Sequence, residues 1–378
     1  MLYASSALDE RELSVVADIN DLRDKLRYAL HEPRRWSGSL RRLSFARNIQ
    51  GSNSIEGYEA GLDDVAAVAL GEEPLDSSEE TRLALEGYRN AMTYVIQRAD
   101  DQDFECSVSL FKSLHFMMTG YSLANRPGRW RAGPIYVQRE QTQEIVHEGA
   151  QIDEVPALMG ELATYINDGG HEELLVKAAM AHLNLVMIHP FRDGNGRMAR
   201  CVQSLVLARN GMLSPVFMSI EEYLGRNTQA YYDVLGEVGG GSWAPSQDTK
   251  PWIRFTLTAH LRQARTLRRR IDDAEKLWIG VEGLVGAREE RQLAALNDAA
   301  MGLRLRRATY LKIAAESGTD ISEQTAGRDL KALSDAGYLE PHGEKRGRYY
   351  LGTKLLRDVW MGVRRSRAVR EDADPFAD

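Results

Sequence analysis

The sequence predicts a mainly α protein with one short β-hairpin in its middle and a winged-helix domain near its C-terminal end. Three observations carry that expectation. Apolar residues recur at i, i+3 and i+4 through long stretches of the chain. A single segment, RWRAGPIYVQ (129–138), breaks that period with Trp, Ile, Tyr and Val around a Gly-Pro pair. Residues 299–353 then run helix, turn, helix and basic hairpin. With 378 residues, 43% hydrophobic and 27% charged, the chain has room for two or three soluble domains.

In chain order, LSVVADINDLRDKLRYAL, DDVAAVALG and ETRLALEGYRNAMTYVIQRA read as amphipathic helices. The hairpin segment at 129–138 follows, and then ELLVKAAMAHLNLVMI (173–188) and RMARCVQSLVLARNGM (197–212) read as two helices joined by a short loop. GEVGGGSWAPSQDTKPW (236–252) has the glycine, proline and serine density of a linker, so composition alone places a boundary there. Residues 253–292 are helical and arginine-rich. GLRLRRATYLKIAAESG (302–318) and SEQTAGRDLKALSDAGY (322–338) give the last helix pair, and LEPHGEKRGRYYLG (339–352) reads as two strands around a basic loop.

The N-terminal residues lack a basic stretch followed by an apolar one, and nowhere does an apolar run reach membrane-spanning length. A cytoplasmic protein with no membrane partner is the expectation. Two cysteines, Cys106 and Cys201, sit among apolar neighbours, which argues against a disulfide scaffold. The net charge of −7 is uneven: residues 261–378 hold 23 Lys and Arg against 19 Asp and Glu, and the first 260 hold 25 against 36. That slight basic bias points to nucleic acid as a partner of the C-terminal part.

HPFRDGNGRMAR (189–200) joins the helices at 173–188 and 197–212. A Gly194-Asn195-Gly196 turn opening a helix offers free backbone N–H groups and the positive end of the helix dipole to an anion. Arg197 and Arg200 are three residues apart on that helix and can clamp phosphate oxygens together. Asp193 is placed for a hard cation that bridges the same phosphates, and His189 for taking a proton from a hydroxyl. Phe191 is expected to point into the core.

The stretch matches the signature of the Fic family, H-P-F-x-acid-G-N-G-R-x-x-R, at every fixed position. PGRWRAGPIYV resembles that family's flap, and YYDVLGEVGGGSW with PWIRFTL resembles its closing helices, which turns the expected linker at 236–252 into a loop inside the core. The resemblance implies a Fic core over 105–265, preceded by a helical region at 1–104. A connector at 266–298, a winged helix at 299–355 and a charged tail at 356–378 follow. It also implies transfer of AMP from ATP to a protein hydroxyl with release of pyrophosphate. His189 would be the general base, and Asp193 would hold Mg2+ or Mn2+. Gly194, Asn195 and Gly196 would form the anion hole, and Arg197 and Arg200 would hold the phosphates. Arg131, Ile135, Tyr136 and Val137 of the flap would pair with a target peptide as an added strand.

SNSIEG (52–57) is similar to the family's inhibitory signature S/T-x-x-x-E-G/N. Ser52 and Glu56 would then form a built-in brake, with Glu56 paired to Arg200. The C-terminal unit is similar to winged helices appended to bacterial members, with Thr325 and Arg328 on a recognition helix and Lys345, Arg346 and Arg348 on the wing. DNA is one expected partner of that unit, and a protein contact or homodimer is the other. Self-modification, removal of AMP from a modified protein, and a nucleotide-sensing DNA-binding regulator stay open as alternatives.

Overall fold

The computed structural model describes every residue except 32–33, 99–100, 102, 139–144, 210–213, 345–346, 369–372 and 378. Four helices open the chain: α1 (Glu10–His31), α2 (Ser37–Ser54), α3 (Leu62–Ala69) and α4 (Glu79–Arg98). Next come α5 (Val108–Thr119), an antiparallel pair β1 (Tyr136–Gln138) and β2 (Ile145–Glu148), then α6 (Val155–Asn167), α7 (Leu174–Ile188) and α8 (Asn195–Ala208). Two short helices, α9 (Pro215–Met218) and α10 (Glu221–Arg226), lead to α11 (Thr228–Gly239) and to the 36-residue α12 (Lys250–Val285). The C-terminal part is α13 (Glu290–Ala300), α14 (Arg307–Glu316), α15 (Glu323–Asp335), the hairpin β3 (Leu339–His342) and β4 (Tyr349–Gly352), and α16 (Lys354–Arg365).

One continuous apolar cluster runs from Tyr3 to Val363, and α7 and α8 lie at its centre. Both are buried on nearly every face, which is why the sequence of α7 is apolar almost all round. Trp252 of α12 packs on them and donates to Ala179 O at 2.8 Å. The polar side chains inside this pair are bonded to one another: His182 meets Gln203 Oε1 at 2.7 Å and Tyr231 Oη at 2.9 Å.

Helix α2 reaches the same centre from the other side. It crosses α10 where Gly51 faces the backbone of Glu221: a Cβ on Gly51 would lie 2.4 Å from Glu221 O, and one on Gly225 would lie 2.6 Å from Gly51 Cα. Only glycine fits at this crossing, and the crossing fixes where the last turn of α2 points.

Segment 236–252 ends α11, forms a loop over 240–249 and opens α12, all within one helical body. Thr249 Oγ1 donates to Ala4 O at 3.0 Å, and the ring of Trp243 meets that of Tyr3 edge-on at 5.2 Å. Helix α12 runs unbroken across the 265/266 boundary expected from the sequence, because its apolar stripe continues through Leu267, Leu277 and Val281. The first helix of the C-terminal unit is α13, which begins in the segment expected to be a connector and runs across its 298/299 boundary. Residues 303–306, expected to be helical, are not. Gly302 (φ 92°) ends α13, and Leu305 exchanges two backbone hydrogen bonds of 2.9 Å with Tyr350 as a third strand position of the wing sheet. Part of the expected charged tail is α16, which buries Leu356 and Val363.

The resulting order, α13, extended Leu305, α14, α15 and hairpin, is that of a winged helix. This unit is docked on the body: Arg42 of α2 bonds both Asp298 and Glu316, and Arg304 Nε is 2.9 Å from Asp63 Oδ2. Cys106 and Cys201 are buried and free. Among the described residues no helix is long and apolar enough to cross a membrane.

Candidate active site

Helix α7 ends at Ile188, and His189 takes left-handed backbone angles (φ 54°, ψ 57°) while its N–H still reaches Leu185 O at 3.1 Å. Histidine is uncommon in that region, and the surrounding loop has to hold it there. Gly194 (φ 76°) makes a second left-handed turn, and α8 begins. Between the two turns, Asn195 Oδ1 accepts Phe191 N–H at 2.8 Å and Asn195 Nδ2 donates to Phe191 O at 2.9 Å. That side chain is committed to the loop, so what Asn195 has left for an anion at the start of α8 is its backbone N–H, as the turn predicts. The Gly194 N–H likewise donates to Asp193 Oδ1 at 2.7 Å, so the free amides are those of Asn195, Gly196 and Arg197.

Sequence reasoning missed His115 of α5. Its ring stacks on Phe191 (3.8 Å between centroids, 3° between planes) in the core, where Phe191 is expected to point. Its Nδ1 accepts Gly128 N–H at 2.9 Å and its Nε2–H donates to Asp193 O at 3.0 Å, which fixes one neutral tautomer. Burial pushes its pKa down to about 4. Nothing in HFMMTG announces this: one histidine in an apolar helix has no motif around it.

His189 Nδ1–H donates to Val186 O at 3.1 Å, which leaves the Nε2 lone pair as the basic site. Burial pushes its pKa down to about 4, against the Val186 carbonyl and the Glu56 charge that favour the imidazolium. At neutral pH the ring is an uncharged base.

Arg197 and Arg200 are fully buried. The Arg197 guanidinium lies 5.1 Å from the centre of the Tyr58 ring, with Asp193 Oδ2 3.5 Å from Nη2, and none of its nitrogens has a well-formed hydrogen bond. Arg200 is engaged on two sides: Nε donates to Ser52 Oγ at 2.8 Å, Nη2 to Ser52 O at 2.8 Å and to Glu56 Oε1 at 2.6 Å, and Nη1 makes no well-formed hydrogen bond among the described residues. Burial opposes both charges, yet Glu56 leads the influences that hold both pKa values above the usual arginine value.

Glu56 sits in the turn that closes α2, just before Gly57 (φ 83°). Its carboxylate lies directly against α8: a Cβ on Gly196 would be 2.4 Å from Glu56 Oε1. Burial raises its pKa, but Arg200 and Arg197 outweigh that and hold it below the usual carboxylate value. An ionised oxygen of the chain itself therefore occupies the first turn of α8, where an anion would bind.

Asp193 is about 38% exposed, and its Oδ2 accepts from Asn125 Nδ2 at 2.8 Å. Among the described residues no group of three or more His, Cys, Asp or Glu side chains gathers to hold a metal. A single carboxylate with open lone pairs fits Mg2+, which takes one or two carboxylates and completes its shell with phosphate and water.

In the flap, the structure corrects the role of Arg131. It is buried, donating from Nε to His189 O at 2.9 Å and from Nη1 to Gly133 O at 2.6 Å, with Nη2 bonded to Ala150 O. It ties the flap to the loop and is closed to a peptide. Ile135, Tyr136 and Val137 are partly or largely exposed at the start of β1, whose other edge has no strand partner among the described residues.

In the C-terminal unit, Arg328 is exposed on α15 and bonded to Thr325 Oγ1 at 3.3 Å, and Arg348 is exposed beside β4. Lys345 and Arg346 lie outside the described residues. Asp329 of α15 faces inward and accepts from Arg291 at 2.9 Å and Tyr310 at 2.8 Å.

Residues 105–207 match the Fic/DOC family. Among curated proteins, the chain is 26% identical over 233 residues to "Protein adenylyltransferase Fic" of Nematostella vectensis (56% of this chain, 46% of the relative). It is 26% identical over 257 residues to "Protein adenylyltransferase fic-1" of Caenorhabditis elegans (66% and 45%), and 28% over 269 to the Drosophila melanogaster protein (66% and 46%). The chain thus spans about half the length of these relatives. Among solved structures, a Fic family protein from Desulfovibrio desulfuricans G20 superposes with a TM-score of 0.59 at 23% identity, over 93% of this chain and 99% of that one. Fic-1 from C. elegans gives 0.54 at 21%, over 69% and 73%. The helical fold is the one these proteins share.

Proposed function

Because this chain carries a Fic domain over residues 105–207, we propose that it is a protein adenylyltransferase held in check by its own Glu56. The observation that carries the reading is one loop bearing a neutral imidazole with a free Nε2 beside two buried arginines, one of them without a well-formed hydrogen bond among the described residues. His189 Nε2 takes the proton of a target hydroxyl as its oxygen attacks the α-phosphorus of ATP. The bond from that phosphorus to the bridging oxygen breaks, and pyrophosphate leaves. Arg197, Arg200 and the amides of Asn195, Gly196 and Arg197 carry the charge that develops. Asp193 would hold Mg2+ or Mn2+, which supplies further positive charge to the pyrophosphate.

The open edge of β1 supports a target peptide bound as an added strand, with Ile135, Tyr136 and Val137 beside it. The ionised, arginine-bound state of Glu56 makes it a poor base for water, which favours transfer of AMP over its removal.

Incubation with labelled ATP, followed by mass spectrometry of the chain and of added proteins, tests the reading. Covalent AMP on a hydroxyl is expected, and its absence even from a Glu56→Gly protein would refute transfer. Asp193→Ala should shift the Mg2+ titration of that activity to concentrations about tenfold higher, since the ion loses its one protein anchor. His115→Phe should keep the stack on Phe191 but lose its hydrogen bond to Asp193 O in the loop and the one it accepts from Gly128 N–H. Roughly tenfold slower transfer is expected in steady-state kinetics, with helix content unchanged by circular dichroism.

A further inference from the structure

Helices α2, α12, α13 and α16 surround a second cavity of about 340 Å3, none of whose lining residues belongs to the catalytic loop. Six arginines line it: Arg47 from α2, Arg226 at the end of α10, Arg269 and Arg270 from α12, Arg364 from α16, and Arg367 just beyond. Two carboxylates answer them. Glu222 holds Arg270 at 2.5 and 2.7 Å and Arg226 at 2.6 Å, and Asp273 holds Arg367 at 2.8 Å. Arg47 has neither an ion pair nor a hydrogen bond among the described residues. Burial, with Arg270, Arg226 and Arg367 nearby, pushes its pKa down to about 9 against the pull of Glu222. Like charges gathered in a recess oppose folding, and an anion binding the folded state would offset that.

The residue choice narrows the ligand. Every cation in the lining is arginine, whose planar fork matches phosphate oxygens two at a time. The volume, about 340 Å3, suits a small molecule.

We propose that this cavity binds a small polyphosphate anion, either free or as the phosphate chain of a nucleotide, through Arg47, Arg364 and Arg367. The site joins α2 to α12 and α16, so its ligand ties the N-terminal helices to the C-terminal unit. The assignment is independent of the chemistry at His189.

Calorimetric titration of the full chain with sodium tripolyphosphate, ATP, GTP and a short DNA duplex tests it. Tripolyphosphate should bind the wild type and Arg197→Ala equally, and Arg364→Ala or Arg47→Gln should weaken it about tenfold or more. Should Arg47→Gln fail to fold, Arg364→Ala carries the test, because Arg364 is exposed on α16. Tighter binding of a nucleotide than of tripolyphosphate, lost in Arg364→Ala, would identify a base contact as part of the same site. Equal binding would assign recognition to the phosphate chain alone. The proposal fails if neither tripolyphosphate nor nucleotide binds, if binding is lost in Arg197→Ala but kept in Arg364→Ala, or if only the duplex binds.

Discussion

Glu56→Gly should raise incorporation of AMP from labelled ATP by on the order of tenfold or more over a nearly silent wild type. The carboxylate blocks the pocket twice, by engaging Arg200 at 2.6 Å and by standing against Gly196 where phosphate would meet the first turn of α8. Glu56→Asp should fall between the two, because the shorter side chain reaches Arg200 less well. Arg200→Ala should release nothing, since clamp and inhibitor go together, and the Glu56→Gly/Arg200→Ala protein should stay weak. Removing Glu56 also leaves a buried guanidinium without its counter-ion, so the Glu56→Gly protein should melt at a lower temperature than wild type, and ATP should recover part of the loss. Wild-type incorporation in a folded Glu56→Gly protein would end the brake hypothesis.

His189→Ala in the Glu56→Gly background should lower transfer by at least about a hundredfold while ATP binding, read by calorimetry, changes little. The imidazole bonds Val186 and touches none of the groups assigned to phosphate, so binding and proton transfer separate. Its pH profile follows from the lowered pKa. The base works when neutral, and a pKa near 4 keeps it neutral throughout the range where an ordinary histidine is half protonated. Transfer should therefore hold between pH 7 and 5.5 and fall only toward pH 4. Loss near pH 6.5 would show that the ring is more open to water than its burial implies. Without Glu56 one influence favouring the imidazolium is gone, so the profile should move to lower pH.

The helices with a clean apolar period were legible, and so was the catalytic loop, because twelve consecutive residues carry most of its chemistry. Which side of each residue does the work was not. Asn195 and Gly194 belong to the motif, yet one uses its side chain and the other its N–H inside the loop, and Arg131 binds three carbonyls that no pattern reveals. His115 and Asn125 stay hidden for a related reason. They lie 78 and 68 residues before Asp193, and only packing brings them to it. The arginine cavity draws on five helices and has no local signature at all. Where a helix ends is hard to read when its apolar stripe runs on past a change of composition, as it does in α12.

Glu56 closes the C-terminal end of α2, where the helix dipole is negative and a carboxylate is disfavoured. The helix that carries this residue therefore does nothing to keep its charge there, and the attraction comes chiefly from Arg200 and Arg197. On the proposed reading, inhibition is an exchange of two anions on one guanidinium: whatever a nucleotide phosphate gains from Arg200, Glu56 gives up. The degree of restraint would then follow from the ratio of those two affinities and from the ATP concentration, and so be graded with nucleotide supply.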